Sequence, residues 1–321
     1  MNNFLTIRDL NVVFNTRRGK VHAVRNLNFS LDSGKVLGIV GESGSGKSVS
    51  MNALMRLIAT PNVEISGSIN YKGQELLELT ETQMQSIRGK EISMIFQDPL
   101  TAFTPVYTVG WHIVEQIQLH SSVSKKVARE QAIELLDQVG IPSPHLRVDQ
   151  YPHEYSGGMR QRAFIAMSLA LKPALLIADE PTTALDVTIQ AQILDLLKRL
   201  QKEHNSSIII ITHDMGVVSE ISDEVLVMYA GSPVEKTTTK TLFSNPIHPY
   251  TRGLLDSIPN VDSTKSEMLK IIPGQPASLL NLPSGCVFRD RCFLAKDECA
   301  NYSYQYQDST SHFVECDQVS K

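Results

Sequence analysis

The stretch "GIVGESGSGKSVS" carries residues whose types and spacing suit phosphate binding. It fits the pattern G-x-x-x-x-G-K-[ST] from Gly41 to Ser48, directly after a predicted strand and directly before a predicted helix. Glycines allow backbone N–H groups to close around phosphate oxygens, and the helix N-terminus adds the positive end of its dipole. Lys47 is expected to reach the β- and γ-phosphates of a nucleotide, and the Ser48 hydroxyl to bind Mg²⁺.

A glycine- and serine-rich turn without a ligand is the alternative, and the strand-to-helix context disfavours it. The loop residues expected to contact the nucleotide are Gly41, Ser43, Gly44, Gly46, Lys47 and Ser48.

A second chemical feature is a pair of adjacent carboxylates, Asp179 and Glu180, at the end of the apolar run "ALLIAD". The carboxyl ends of parallel strands are where α/β sheets bind ligands. Asp179 is expected to hold Mg²⁺, directly or through water, and Glu180 to act as the base or orienter of an attacking water. A solvated acidic loop is the commoner case for such a pair alone, but the phosphate loop earlier in the chain favours a site.

The elements that must position these residues alternate along the chain. Short apolar, β-branched segments predict strands buried on both faces of a parallel sheet, at 35–40, 92–97, 174–179 and 206–212. Helical spacing of apolar residues predicts helices at 48–59, 128–140 and 191–203. This alternation of strands and helices predicts the α/β class. The segments "FLTIRDLNVVF" and "AVRNLNFSL" indicate antiparallel strands at one edge.

Two further segments depart from this alternation. Residues 98–172 contain no strong strand pattern and predict a helical insertion. From about residue 245 prolines accumulate and helical periodicity fades, which predicts a domain over 1–245 and a C-terminal extension over 246–321.

Composition limits the function classes. The 321 residues are 42% hydrophobic and 20% charged, as in a soluble globular protein, and the net charge of −4 gives no sign of nucleic acid binding. The first residues lack the features of a signal peptide, and no apolar run reaches the length of a membrane span. We therefore expect a reducing cytosolic compartment, which weakens any disulfide interpretation of the cysteines.

The stretch "YSGGMRQR" (155–162) resembles the signature motif of ABC-type ATPases, and it precedes the acidic strand by about that family's spacing. Ser156, Gly157 and Gly158 would open a helix and offer N–H donors and a hydroxyl to an anion. The resemblance implies that this anion is the γ-phosphate of ATP held on the phosphate loop of a partner subunit. Tyr155 and Met159 depart from the usual Leu-Ser-Gly-Gly-Gln.

Other motifs of the same family follow in order. The resemblance implies that Gln97 in "IFQDP" is the Q-loop glutamine, which also contacts Mg²⁺, and that Asp186 in "ALD" belongs to the D-loop. It implies that His213 in "ITHD" is the switch histidine at the γ-phosphate, and that Phe14, 27 residues before Gly41, stacks on adenine. Catalysis is then assigned to Glu180, His213 and Gln97.

Longer stretches, including "IADEPTTALDVTIQAQIL" and "NPIHPYTRGLLDSIP", resemble the ATPase subunits of di- and oligopeptide importers. This resemblance implies an ABC ATPase core with an antiparallel β edge, a helical subdomain and a small C-terminal extension. It implies a second ABC ATPase subunit in a heterodimer, two transmembrane permease subunits, an extracytoplasmic solute-binding protein acting indirectly, and no nucleic acid. The protein would lie peripherally on the cytoplasmic face of the inner membrane.

Other functions stay open at this point. Importers of nickel or metallophores share the branch, and a soluble ABC ATPase acting on ribosomes or DNA is a further alternative. A P-loop kinase is disfavoured by the signature motif and His213. Phe103 and Thr104 depart from the usual Leu-Asn after the Q-loop, where the family docks on its membrane subunit.

All cysteines of the chain lie near its end, at Cys286, Cys292, Cys299 and Cys316. The branch that the chain resembles often carries four cysteines there, which hold a four-iron, four-sulfur cluster in some members, and the resemblance implies the same ligand set here. A zinc site and four unliganded thiols are the alternatives, although the spacing C-x5-C-x6-C-x16-C lacks the close pairs of a zinc ribbon. Arg289 and Arg291 are expected to offset the thiolate charge. Because the extension is far in sequence from the ATP motifs, we expect it to be separable from ATP hydrolysis.

Overall fold

The computed structural model describes residues 4–58, 60–98, 103–182, 186–258, 271–303 and 312–319. The chain divides into two compact units. The first unit comprises Met1–Asp32, Val36–Glu78 and Thr212–Lys321, and the second comprises Ser33–Lys35 and Leu79–Ile211. The predicted boundary at residue 245 and the predicted bounds of the helical subdomain, 98–172, stay predictions.

Strands and α-helices alternate along the described chain, as the sequence predicts for the α/β class. The strands are β1 (Leu5–Thr16), β2 (Gly19–Leu31), β3 (Val36–Val40), β4 (Val63–Tyr71), β5 (Gln74–Glu75), β6 (Ile92–Ile95), β7 (Leu175–Asp179), β8 (Ser207–Thr212), β9 (Glu224–Tyr229), β10 (Ser232–Thr238) and β11 (Phe313–Val314). The α-helices are α1 (Lys47–Leu54), α2 (Glu81–Ile87), α3 (Val109–His120), α4 (Lys125–Gln138), α5 (Pro144–Arg147), α6 (Gly157–Leu169), α7 (Val187–His204), α8 (Met215–Ile221), α9 (Thr239–Ser244) and α10 (Pro249–Asp256).

An antiparallel sheet in the order β2-β1-β4-β5 forms one layer of the first unit. Apolar side chains alternate with exposed ones along β1, so Leu5, Ile7, Leu10 and Val12 are buried on one face. This confirms the predicted antiparallel strands.

The same unit contains β3, which is buried along its whole length and pairs in parallel with β9. Strand β10 pairs with β9 in the antiparallel direction, and β11 pairs with β10 in the same way. The chain leaves β3 at Val40 and enters α1 at Lys47, so the predicted phosphate loop lies between a buried strand and a helix.

The second unit contains β6, β7 and β8, which pair in parallel in that order and are buried at every residue. Burial on both faces explains why "SSIIIIT" (206–212) contains a continuous apolar run rather than an alternating one. Helices α3, α4, α5 and α6 follow one another between β6 and β7, and no strand occurs there within 103–174. The predicted helical character of this insertion is therefore confirmed.

Some predicted ends are wrong. The helix predicted over 48–59 ends at Leu54, because Arg56 adopts a left-handed conformation with φ 51° that an α-helix cannot continue. The strand predicted over 92–97 ends at Ile95, and Phe96 and Gln97 are exposed.

Residues 246–321, here called the C-terminal segment, contain little regular structure in their described parts. Beyond α10 and β11 they form two short 3-10 helices, Arg289–Arg291 and Asp297–Asn301. Phe288 packs edge-on against Tyr229 and Tyr250, with ring centroids 5.1 and 5.3 Å away, so the segment shares the core of the first unit.

Candidate functional site

Two glycines give the loop between β3 and α1 its shape. Gly41 has φ +151°, and a Cβ there would lie 2.2 Å from the Met228 carbonyl oxygen. Gly46 has φ +97°, and its Cβ would lie 2.4 Å from the Ala23 carbonyl oxygen. Backbone approaches this close exclude any side chain, so the glycines of the motif are required for the loop to sit against its neighbours.

Lys47 lies inside this loop and is only 6% exposed. Its ammonium donates to the carbonyl oxygens of Gly41 and Glu42, at 2.7 and 2.9 Å, and to Ser45 Oγ at 3.3 Å. Ser48 is half-buried in the first turn of α1. The loop therefore concentrates a lysine charge and backbone groups at a helix N-terminus, as the sequence predicts for a phosphate site.

The remaining predicted loop residues, Ser43 and Gly44, are exposed. Gly44 has φ +79° with nothing within 4 Å of an added Cβ, so its requirement for glycine is conformational.

The predicted carboxylates differ in environment. Asp179 ends β7 and is 4% exposed, whereas Glu180 is half-buried and has φ +48°. The Glu180 N–H donates to the Ile211 carbonyl at 2.9 Å, which fixes the backbone at this turn. Gln97 Nε2 donates to Glu180 Oε2 at 2.9 Å. Two residues that are 83 positions apart and were both assigned to catalysis are thus in contact.

The predicted signature residues begin helix α6. Ser156 is the N-cap, and its Oγ accepts from the Met159 N–H at 3.3 Å. Ser156 and Gly157 are exposed and Gly158 is half-buried, so this helix N-terminus faces solvent in the second unit. One turn later, Gln161 Nε2 donates to the Pro181 carbonyl at 2.7 Å. The sequence analysis missed Gln161, which joins the signature helix to the turn that follows Glu180.

Tyr155 and Phe103, two of the residues that depart from the family motifs, have structural roles. Tyr155 is 3% exposed, and its hydroxyl donates to the Arg147 carbonyl at 2.8 Å, which satisfies the end of α5. Burial raises the pKa of Tyr155 to about 12, so it stays a hydrogen-bond donor at neutral pH. Phe103 is buried edge-on against His112, whose Nε2 accepts from the Thr104 N–H at 3.0 Å. These residues stabilise the helical part of the second unit.

The other predicted residues lie on a strand or at the start of a helix or turn. Phe14 is half-buried on β1, opposite Val21 and Val63. Asp186 is the N-cap of α7, and its carboxylate accepts from the Ile189 N–H at 2.9 Å. His213 is exposed between β8 and α8. Of the predicted "ALD" stretch, Ala184 and Leu185 lie outside the described residues.

The four cysteines are half-buried, and none forms a disulfide. Burial, together with the smaller electrostatic effect of Cys316, Cys299 and Cys292, raises the pKa of Cys286 to about 11. Two of the sulfurs accept hydrogen bonds from backbone N–H groups. The Leu294 N–H donates to Cys292 Sγ at 3.4 Å, and the Phe288 N–H donates to Cys286. Among the described residues, no group of three His, Cys, Asp or Glu is placed to hold a metal ion.

The expected role of two arginines in offsetting the thiolates is not what the structure shows. Arg289 donates to the Ser284 carbonyl at 2.7 Å and contacts Asp290. Arg291 donates to both carboxylate oxygens of Glu42, in the phosphate loop. Arg291 thus reaches across 249 positions to that loop. The expected separability of the extension from ATP hydrolysis stays a prediction.

Comparisons with known proteins agree with this geometry. The family described as "ABC transporter" matches residues 24–183, which include the loop, Gln97, the signature and the acidic pair. The oligopeptide transport ATP-binding protein OppD of Bacillus subtilis is 52% identical over 97% of this chain and 87% of its own length. This chain belongs to the family of ABC transporter ATP-binding proteins. As an ABC ATPase it binds and hydrolyses ATP.

Other relatives of this ABC ATPase carry related names. The dipeptide transport ATP-binding protein DppD of Lactococcus lactis is 51% identical over 97% of this chain and 89% of its own length. The family described as "Oligopeptide/dipeptide transporter, C-terminal region" matches residues 234–299, which include Cys286, Cys292 and Cys299 but not Cys316.

Solved structures confirm the fold. The dimeric ATP-binding cassette MJ0796, bound to ADP and Pi, has a TM-score of 0.66 at 24% identity and covers 73% of this chain and 98% of its own. The protein cbiO1 of Clostridium perfringens, part of an ABC transporter complex, has a TM-score of 0.64 at 28% identity and covers 76% of this chain and 92% of its own. Within the part of the chain that the structure describes, no helix is long and apolar enough to cross a membrane.

Proposed function

We propose that this ABC ATPase is the ATP-hydrolysing subunit of a membrane importer of di- and oligopeptides. The observation that carries the proposal is the match of residues 234–299 to the C-terminal region of oligopeptide and dipeptide transporters. The identity of 48% or more to peptide transport ATP-binding proteins, over nearly the whole chain, supports it. An importer of nickel or metallophores is the second candidate, because that branch shares the motifs.

The chemistry proposed for each residue is the one that its motif implies. Lys47 and the loop N–H groups would bind the β- and γ-phosphates, and Phe14 would stack on adenine. Ser48, Asp179 and Gln97 would contact Mg²⁺, which neutralises charge on the phosphates. Glu180 would accept a proton from the attacking water, while the amide of Gln97 orients its carboxylate through the 2.9 Å hydrogen bond.

His213, at the start of the turn after β8, would contact the γ-phosphate. Ser156, Gly157 and Gly158 would bind the γ-phosphate of a partner subunit, which makes ATP part of the dimer interface. The exposed N-terminus of α6 supports this role, because N–H groups there can reach an external anion. Asp186 would lie at the same interface.

The partners follow from this role. We propose a heterodimer with a second ABC ATPase subunit, docked on two transmembrane permease subunits that receive solute from an extracytoplasmic binding protein. The chain would then lie peripherally on the cytoplasmic face of the inner membrane and would not act on nucleic acid.

Peptide-dependent ATP hydrolysis tests the cargo. The test uses proteoliposomes that contain the chain, its partner ATPase and the permease pair. The binding protein is placed on the side that the extracytoplasmic face of the permease pair occupies. We expect a tripeptide mixture to raise the ATPase rate several-fold and labelled peptide to accumulate. Stimulation by a nickel chelate and not by peptides would replace the proposal with the second candidate.

We also propose that Cys286, Cys292, Cys299 and Cys316 bind a four-iron, four-sulfur cluster. Their mutual charge repulsion would oppose ionisation of all four thiols unless a cation were present, and N–H donors to the sulfurs favour thiolates. A cubane binds each thiolate to a different iron. A zinc site and four unliganded thiols are the alternatives to the cluster.

Metal analysis of anaerobically purified protein decides between these ligands. We expect a brown protein with about four irons per chain, because a cubane takes one cysteine per iron. Cys292→Ser should bleach the colour, whereas Asp290→Asn, an exposed change on the preceding 3-10 helix, should retain the iron. Zinc in place of iron, or no metal, would exclude the cluster.

A further inference from the structure

Glu42 is the second residue of the phosphate loop, at a position that the motif leaves unspecified. Its carboxylate is bound by Arg291 of the C-terminal segment: Nη1 donates to Oε2 at 2.7 Å and Nη2 donates to Oε1 at 2.9 Å. The Arg291 side chain is 5% exposed, so solvent screens this two-point pair less than a surface ion pair.

Arg291 is itself held in place. Its Nε donates to the Pro273 carbonyl at 2.9 Å, and its guanidinium carbon lies 5.7 Å from the centroid of the Tyr229 ring. A planar guanidinium fixed by these two contacts presents its remaining N–H groups in one direction. The orientation of the pair is therefore set by Pro273 and Tyr229 and not by the loop.

The backbone of Glu42 has a second anchor. The Glu42 N–H donates to the Tyr250 hydroxyl at 2.9 Å, and the Tyr250 ring is fully buried 4.7 Å from the Tyr229 ring. The Glu42 carbonyl in turn accepts from Lys47 Nζ at 2.9 Å and from the Ser45 N–H at 3.2 Å. Fixing the backbone of Glu42 therefore fixes a carbonyl oxygen that orients the Lys47 ammonium.

We infer that Arg291 and Tyr250 are positioning residues for the ATP site, acting through Glu42. A glycine-rich loop has many accessible conformations, and ordering it on binding costs free energy that prior anchoring removes. Arg291 has a second effect, because it neutralises a carboxylate in the loop that receives the ATP phosphates. Without it the Glu42 charge would repel ATP. This inference rests on ATP binding by the loop and not on the cargo.

Variants at both ends of the pair test the inference by equilibrium ATP binding to the full chain. Arg291→Met should raise the Kd for ATP about tenfold. Adding Glu42→Gln to Arg291→Met should recover part of the affinity, because the neutral amide no longer repels phosphate. Arg291→Lys should fall between wild type and Arg291→Met, since a single ammonium keeps the charge but not the two-point geometry.

Arg289→Met is the matched control. It removes one positive charge from the same 3-10 helix, but Arg289 contacts Ser284 and Asp290 instead of the loop. Its Kd for ATP should equal that of wild type. If Arg291→Met does not fold, Tyr250→Phe replaces it as the test variant. It removes only the hydroxyl that accepts from the Glu42 N–H, and it should raise the Kd for ATP severalfold.

Two results would overturn the inference. One is an unchanged Kd for ATP in a folded Arg291→Met or Tyr250→Phe variant. The other is a raised Kd for ATP in Arg291→Met that adding Glu42→Gln raises further or leaves unchanged. That result would mean that the pair only attaches the C-terminal segment. Lack of ATP binding by the wild-type chain would contradict the ATP site itself and is distinguishable from both.

Discussion

Glu180→Gln should lower the rate of ATP hydrolysis by at least about 100-fold while ATP binding stays close to wild type. General base catalysis contributes about 10²–10⁴-fold to a rate, and an amide cannot accept the proton of the attacking water. The amide keeps the size of the side chain, and its oxygen can still accept from Gln97 Nε2, which now lies 2.9 Å from Glu180 Oε2. The fold and the nucleotide site should therefore survive the change.

The measurement is single-turnover hydrolysis with the site of the partner subunit silenced, together with ATP binding by calorimetry. Glu130→Gln makes the same chemical change on the exposed surface of α4 and should leave both quantities unaltered. Near-normal turnover in Glu180→Gln would remove Glu180 from the role of catalytic base.

The same variant should also accumulate an ATP-bound dimer with its partner, because hydrolysis no longer separates the subunits. Combining it with Ser156→Arg should prevent that dimer, since the new side chain would fill the space in front of the α6 N-terminus where the partner's γ-phosphate must lie. Size-exclusion chromatography with ATP separates these outcomes. A stable dimer in the double variant would exclude the signature residues from the interface.

The local parts of this site could be predicted from sequence because short-range geometry determines them. Gly41 and Gly46 adopt positive φ, which favours glycine. Lys47, which directly follows Gly46, begins a helix, so its place at a helix N-terminus depends only on local sequence. The buried strands were also predictable, because continuous β-branched runs such as that of β8 fit only a sheet covered on both faces.

Contacts between distant positions could not be predicted in this way. Nothing in the local pattern indicates that Arg291 binds Glu42 rather than the neighbouring cysteines, since metal-bound thiolates would also attract an arginine and only the fold sets the distance. The buried hydroxyl of Tyr155 is a similar case, because its acceptor, the Arg147 carbonyl, is known only once α5 is placed. The end of α1 was missed because the left-handed turn at Arg56 has no glycine to mark it.

Lys47→Ala should weaken ATP binding itself, in contrast to Glu180→Gln. A charge-assisted hydrogen bond contributes about 1.5–3 kcal/mol, which corresponds to a rise in Kd of about tenfold to more than a hundredfold. The effect should lie toward the upper end, because the ammonium also donates to Gly41 and Glu42 at 2.7 and 2.9 Å and so orders the loop.

Calorimetry with ATP measures the loss, and Lys236→Ala is its control. Lys236 lies in the same unit but pairs with Glu224 at 2.8 Å on β9 and β10, so its removal should not change the Kd for ATP. Lys47→Met separates the ammonium from the aliphatic stem, because it keeps the stem that packs inside the loop and removes only the charged donor. A Kd raised as much by Met as by Ala would assign the loss to the ammonium, whereas an unchanged ATP affinity in Lys47→Ala would contradict the phosphate-binding role of the loop.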